Sequence, residues 1–241
     1  MAARTPVRVR AVVFDWGGTL TPYHDIDLDD MWRVVADVVS PRRSSELAQA
    51  LRSVEDEFWL QVEESGGNAS TTLADVLDMA ATRTGVEVHA ALRQTAFAAY
   101  LEAWTPHTQT VPHALPVLSL LREQGIAIGL LSNTVWPRAW HERFLERDGI
   151  LDLIDARVYT SELRHSKPHR EAFSAVLGML GTDARQTVMV GDRPLDDIKG
   201  GKALGMRTVL LPNTYSRAAR VEPDAVISSL AELPTVIAGW A

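Results

Sequence analysis

Apolar and polar positions divide the chain into two kinds of territory. Residues 9–15 (VRAVVFD) are apolar and β-branched, and they read as a buried strand that ends on an acid. The WGGTLTP that follows carries two glycines and a proline and reads as a turn or loop. From Asp27 to about Trp104 the apolar spacing lengthens to three or four. MWRVVADVV, SELAQALRSVEDEFWLQVEE, TLADVLDMAATRTG and HAALRQTAFAAYLEAW each predict a helix with one apolar face. Ser44 or Ser45, ahead of Glu46 and Leu47, is the expected start of one of them, and Pro41 and the SGGNAS stretch at 65–70 separate neighbours. No strand is predicted in this region.

Beyond Trp104 the two periods alternate. Residues 112–124 read as a helix closed by Gly125, and IAIGLLSN (126–133) as a second buried strand. Residues 138–147 follow as a helix, ARVYTS (156–161) as a strand and REAFSAVLGML (170–180) as a helix. QTVMVGD (186–192) is a strand, DDIKGGKALG (196–205) a helix and RTVLLP (207–212) a strand, with DAVISSLAELPTVI closing as a short strand and a helix. Alternation of this kind predicts an α/β fold, a doubly wound, Rossmann-like parallel sheet with helices on both faces. An all-helical block is inserted between the first and second strands. The expected division is a core of residues 1–22 and 106–241 and a helical cap of residues 23–105.

Composition narrows the chemistry. At 241 residues and 46% hydrophobic, the chain has enough apolar material for one large domain, or one domain and a smaller partner. It has no cysteine, so disulfides and thiolate metal sites are excluded, and any metal must sit on oxygen or imidazole. Net charge is −7 with no basic tract, which argues against nucleic acid and anionic membranes as partners. The N-terminal apolar run is short and stops at Asp15, and no apolar segment reaches about 18 residues, so a soluble cytoplasmic protein is expected. Lysines are scarce: Lys167, Lys199 and Lys202 are three of 24 basic residues, the rest being arginine.

In open parallel sheets, sites form beyond the carboxyl ends of the strands. Read in order, those ends supply Asp15, Ser132, the segment from Ser161 to Lys167, and Asp192. Two acids, a hydroxyl and a lysine therefore converge on one edge. Ser132 could equally cap the helix after Asn133, and Asp196 or Asp197 could cap the helix at Ile198. Trp16, Trp136 and Trp140 either line a pocket or pack in the core.

These strand ends resemble the four motifs of the haloacid dehalogenase-like hydrolases. Asp15 in VVFDWGGTL is similar to the first, Ser132 in IGLLSN to the second, Lys167 in SKPHREAF to the third, and VMVGDRPLDDIKGGKALGM to the fourth. The resemblance spans the whole chain, including the PDAVISSLAELP ending. It implies that Asp15 is a nucleophile that forms an aspartyl-phosphate intermediate. Ser132 and Asn133 would orient a phosphoryl group, Lys167 would neutralise charge between it and Asp15, and Thr19 would fix the turn at the substrate. It also implies Mg²⁺ held by Asp15, the Gly17 carbonyl and Asp192, with Asp197 or Asp196 in support. Hard carboxylate oxygens suit that ion, which would neutralise the approach of one anion to another. A small phosphorylated metabolite is the implied substrate, chosen by cap residues such as Trp32, Phe58, Trp59 and Tyr100.

The sequence departs from this pattern at one position. Phosphatases of this family carry a second Asp two residues after the nucleophile as general acid and base; here it is Gly17. His24 and Asp25 are nearby substitutes. A carbon–phosphorus hydrolase of this family would need a cap lysine, and residues 23–105 contain none. Two further alternatives stay open: a 2-haloacid dehalogenase, which needs no metal, and a catalytically weakened binding protein.

Overall fold

The computed structural model describes residues 8–22, 26–213 and 221–240. The first strand, β1 (Ala11–Phe14), is buried along its whole length, as a four-residue apolar run covered on both faces must be. Four helices follow: α1 (Leu28–Val39), α2 (Ser44–Ser65), α3 (Leu73–Thr84) and α4 (Ala90–Trp104). Asp27 caps α1 by accepting from the N–H of Asp29 at 2.9 Å. Thr72 and Asp75 cap α3 reciprocally, satisfying two otherwise orphaned donors. A short 3₁₀ turn at Pro41–Arg43 joins α1 to α2. Ser44 lies inside the first turn of α2, where its hydroxyl donates to Asp37 rather than capping its own helix.

The rest of the chain alternates. The elements are α5 (Ala114–Glu123), β2 (Ala127–Ser132), α6 (Arg138–Arg147), β3 (Ala156–Tyr159), α7 (Arg170–Leu180), β4 (Thr187–Gly191), α8 (Gly200–Leu204), β5 (Arg207–Leu210), β6 (Ala225–Val226) and α9 (Leu233–Ala238). The described residues form one six-stranded sheet in the order β3-β2-β1-β4-β5-β6, every pairing parallel. This is the doubly wound α/β architecture expected from the pattern. The strands are shorter than the apolar runs that announce them, because the ladder stops where the chain leaves for the site. Asp15, Asp192 and Ser161 all lie beyond the last paired residue. The helix expected from Asp196 opens instead as a π-helical turn, Pro194–Lys199, before α8 begins.

One apolar cluster runs through most of the molecule. It joins Val12, Phe14 and Ile128 of the sheet to Trp32, Leu51, Leu77 and Tyr100 of the helical block. A smaller cluster on the other face packs Val13 and Met189 against Phe173 and Val176 of α7. Among the described residues no helix is long and apolar enough to cross a membrane.

Candidate active site

Strand order reverses between β1 and β4: the chain winds outward from β1 to β3 and then returns to lay β4 on the other side of β1. That switch point leaves a crevice at the carboxyl ends of the two strands. Register is fixed by Phe14 opposite Val190, and the Asp15 N–H donates to the Val190 carbonyl at 2.9 Å. Asp15 and Asp192 are thereby carried to the same crevice on neighbouring strands.

Asp15, Asp192 and Asp197 each place a carboxylate oxygen within 4.8 Å of the other two, and all three are buried. Lys167, 1% exposed, reaches into this group. Its Nζ donates to Asp15 Oδ1 at 2.6 Å and to Asp197 Oδ1 at 2.7 Å. Burial pulls its ammonium down, but the two carboxylates outweigh that and leave its pKa above the ordinary lysine value. Three carboxylates against one buried lysine leave an excess of negative charge. Asp192 is pushed above the usual carboxylate range by burial and then by Asp15. Asp197 is pushed the same way by burial, with Asp15 adding to it against the opposing pull of Lys167. A crowded set of hard oxygen donors fits a divalent cation such as Mg²⁺, which would supply further positive charge.

The loops are built for close approach. Gly18 has a φ of +83°, and a Cβ there would lie 2.6 Å from Asp192 Oδ2, so only glycine lets the first loop lie against the fourth strand's acid. A Cβ on Gly191 would sit 2.2 Å from Asp197 Cγ. Asp197 Oδ2 also accepts from the backbone N–H of Arg193 at 3.0 Å, which locks the turn after β4. Asp197 thus faces the lysine. Asp196 is not brought into the carboxylate group; its Oδ2 lies 3.5 Å from Arg193 Nη1. Successive residues of a helical turn point in different directions, so only one of the two acids can enter the crevice.

Ser132 is buried at the end of β2. Asn133 takes a position that spacing alone does not reveal. Its Oδ1 accepts from the Lys167 N–H at 2.7 Å, and its Nδ2 donates to the Lys167 carbonyl at 3.0 Å. Both ends of the amide are engaged with the main chain of the lysine, not with the mouth of the crevice. Thr19 is fully buried, and its hydroxyl has no hydrogen-bond partner. Gly17 is exposed, and the position where a Cβ would stand is open, with no atom within 4 Å. His24 and Asp25 lie outside the described residues.

Two contributors escaped the sequence reading. Asn213, three residues beyond β5, donates to Asp192 Oδ2 at 2.6 Å; the strand-end rule extended to β5 would have found it. His141 is fully enclosed behind the second loop. Its Nε2 pairs with Thr134 Oγ1 at 3.0 Å, while Thr134 Oγ1 accepts from the Trp136 N–H at 2.9 Å. Its ring stacks on Tyr159 at 4.7 Å and meets Trp16 edge-on at 4.6 Å. Burial, with Arg138 beside it, pushes its pKa down to about 3, so the ring is neutral. Trp16 and Trp136 are core residues, each 8% exposed.

A buried carboxylate at a sheet switch point, gripped by a lysine and surrounded by further acids, is a polar site suited to group-transfer chemistry on a doubly wound sheet. The chain belongs to the haloacid dehalogenase-like hydrolase family, whose model matches residues 9–205. It is 35% identical over 128 residues to the glyceraldehyde 3-phosphate phosphatase of Methanocaldococcus jannaschii, a match spanning 52% of this chain and 55% of that protein. A protein of the same description from Methanopyrus kandleri is 25% identical over 83% of both chains. The ribulose-1,5-bisphosphate 5-phosphatase of Halopiger xanaduensis is 32% identical over 58% of this chain and 61% of its own length. Among solved structures, the HAD phosphatase of Thermococcus onnurineus superposes with a TM-score of 0.69 at 22% identity, covering 96% of this chain and 99% of that one. A 2-haloacid dehalogenase from Pseudomonas syringae does so with the same score at 24% identity, over 97% and 100%. At these identities the structural likenesses speak for the fold.

Proposed function

We propose that this protein is a Mg²⁺-dependent phosphatase of a small phosphorylated metabolite, working through an aspartyl-phosphate on Asp15. The observation that carries this reading is the Lys167 bridge between Asp15 and Asp197 with Asp192 alongside. A carboxylate held 2.6 Å from a buried ammonium is fixed in position and aimed. The curated relatives named above act on sugar phosphates of a few carbons, which supports a substrate of that size.

In this reading Mg²⁺, held by Asp15, Asp192 and the Gly17 carbonyl with Asp197 in support, would neutralise the phosphoryl oxygens and let one anion approach another. An Asp15 oxygen attacks phosphorus, the ester P–O bond breaks, and the leaving oxygen takes a proton. A water then attacks the acyl phosphate, releasing phosphate and restoring the carboxylate. Lys167 neutralises charge on the transferring group, and Ser132 donates to one of its oxygens. Asn133 acts by holding the Lys167 peptide in register. Thr19, buried beside the nucleophile, has a hydroxyl left over for the same oxygens. Gly17 carries no side chain, so the proton comes from a water admitted to the crevice with the substrate rather than from this position. The helical block of residues 23–105 is assigned to a cap over the crevice, where it would exclude bulk water and select substrate.

Gly17 also favours a second reading, a weakened enzyme that binds phosphorylated ligands and turns them over slowly. Phosphate release from a panel of small phosphomonoesters, with Mg²⁺ and with chelator, separates the two. The expected result is metal-dependent release that Asp15→Asn abolishes. Binding without release across the panel, including an activated aryl phosphate, supports the second reading. Chloride release from haloacids without metal would overturn both.

A further inference from the structure

The loop that carries Lys167 holds a second group of ligating side chains, unused by the proposed reaction. His165, His169 and Glu171 each bring a ligand atom within 4.8 Å of the other two. Two imidazoles therefore flank Lys167 in sequence, and the carboxylate sits in the first turn of α7. His165 Nε2 lies 3.2 Å from Glu171 Oε2, and the two imidazole centroids are 4.0 Å apart. Bonds of about 2.0–2.1 Å around a tetrahedral zinc ion leave about 3.3 Å between neighbouring donors. The His165–Glu171 spacing is already that of two ligands sharing an ion. His165 Nδ1 is buried with no hydrogen-bond partner, so the ring's polar contact is the one its Nε2 makes with Glu171. His169 Nδ1 accepts only a long 3.3 Å contact from the Glu171 N–H, one that an incoming ion can displace.

We propose that His165, His169 and Glu171 form a transition-metal site of the zinc class, separate from the Asp15–Asp192–Asp197 group. Two imidazoles and one carboxylate select a borderline ion such as Zn²⁺, whereas three carboxylates select Mg²⁺. Three protein ligands leave the fourth position to water. The three residues are half-buried to exposed, so an ion can reach them. The site has mechanical consequences for its surroundings. Binding ties the segment before Lys167 to the first turn of α7 behind it. The same segment seats the α2–α3 connection: the Ser166 N–H donates to the Gly67 carbonyl at 2.9 Å, and Gly67 packs directly against His169. An ion here braces the catalytic-lysine loop and the contact that the helical block makes with it.

The test is calorimetric titration of Zn²⁺ into the full chain with Mg²⁺ in saturating excess, which keeps the carboxylate group occupied. One Zn²⁺ should bind per chain, with affinity falling by about tenfold or more in His165→Gln and in Glu171→Gln. Affinity should also fall as pH drops through the imidazole range, since the ligands must be deprotonated. Asp192→Asn should leave this binding intact. The Glu171 side chain is 47% exposed, so Glu171→Gln is a mild change that keeps the test valid if His165→Gln folds poorly. Absence of Zn²⁺ binding, binding that survives Glu171→Gln undiminished, or binding lost in Asp192→Asn would each overturn the proposal. None of these outcomes depends on turnover of a phosphate ester, and Asp192→Asn separates this site from the carboxylate group.

Discussion

At the scale of single residues, Gly17 and His141 make the sharpest predictions. Gly17 stands where a general acid is expected, on exposed backbone with room for a side chain and no left-handed φ. Gly17→Asp should therefore fold normally and raise kcat for unactivated phosphomonoesters by about 10²-fold, the lower end of what a positioned acid contributes. Unchanged turnover with Mg²⁺ binding intact would mean that the site is adapted to a leaving group that needs no acid. His141 governs pH dependence. Its pKa is about 3 in the fold, well below the ordinary imidazole value of about 6.5. The unfolded chain therefore binds a proton that the folded chain does not. The resulting stability is complete above about pH 6.5 and drains away as pH falls toward about 3, at about 1.4 kcal/mol per unit. Urea unfolding of wild type and His141→Gln at successive pH values should show the variant losing that part of the acid slope. Parallel slopes would mean that His141 is solvated or protonated in the fold.

At the scale of elements, the connection between α2 and α3 joins the helical block to both site loops. The Ser166 N–H donates to the Gly67 carbonyl at 2.9 Å, the Leu73 N–H donates to the Val135 carbonyl at 2.7 Å, and the Ser70 hydroxyl donates to the Leu163 carbonyl. Gly67 has a φ of +87°, and a Cβ there would lie 2.2 Å from the Ser166 carbonyl oxygen. Gly67→Ala should cost about 1–3 kcal/mol in chemical unfolding, and it should reduce kcat by shifting the segment that holds Lys167. Full activity with lost stability would separate this seat from the chemistry. The strand ends were legible from sequence because a buried strand must stop at its first acid, and at Asp15 and Asp192 that stop is also the site. The choice between Asp196 and Asp197 was not legible in the local pattern, since both are polar residues at the head of a helical turn and only its rotation decides; the family resemblance alone favours Asp197. The work of Asn133 was hidden for another reason: its partner is the backbone of Lys167, 34 residues away, and no local pattern encodes such a contact.

At the scale of the whole molecule, the proposed cap and core meet through aromatic rings. Trp136, in the loop after β2, lies 5.1 Å from Trp104 and 6.4 Å from Tyr100 of α4, and 5.9 Å from Trp16 next to Asp15. Tyr100 in turn stacks on Trp32 of α1 at 4.9 Å. From sequence, Trp16 and Trp136 are pocket-lining or core residues and Trp32 and Tyr100 are cap residues of unknown direction, and nothing in the pattern says that they meet. The apolar cluster consequently crosses the expected boundaries near residues 22 and 105 without a break. Two bodies that share one core unfold together, because neither can expose its half without the other losing its partner surface. Calorimetry of the full chain should therefore give a single transition. Trp136→Ala removes the ring shared by the Trp104, Tyr100 and Trp16 contacts and should cost about 3–5 kcal/mol, enough to weaken the shared core selectively. The expected outcome is a broadened or divided transition in which the helical block melts first, together with a raised KM as the crevice loses its cover. A single sharp transition at lower temperature, with KM unchanged, would instead assign Trp136 to the sheet's own packing and leave the closure of the block to the Gly67 seat.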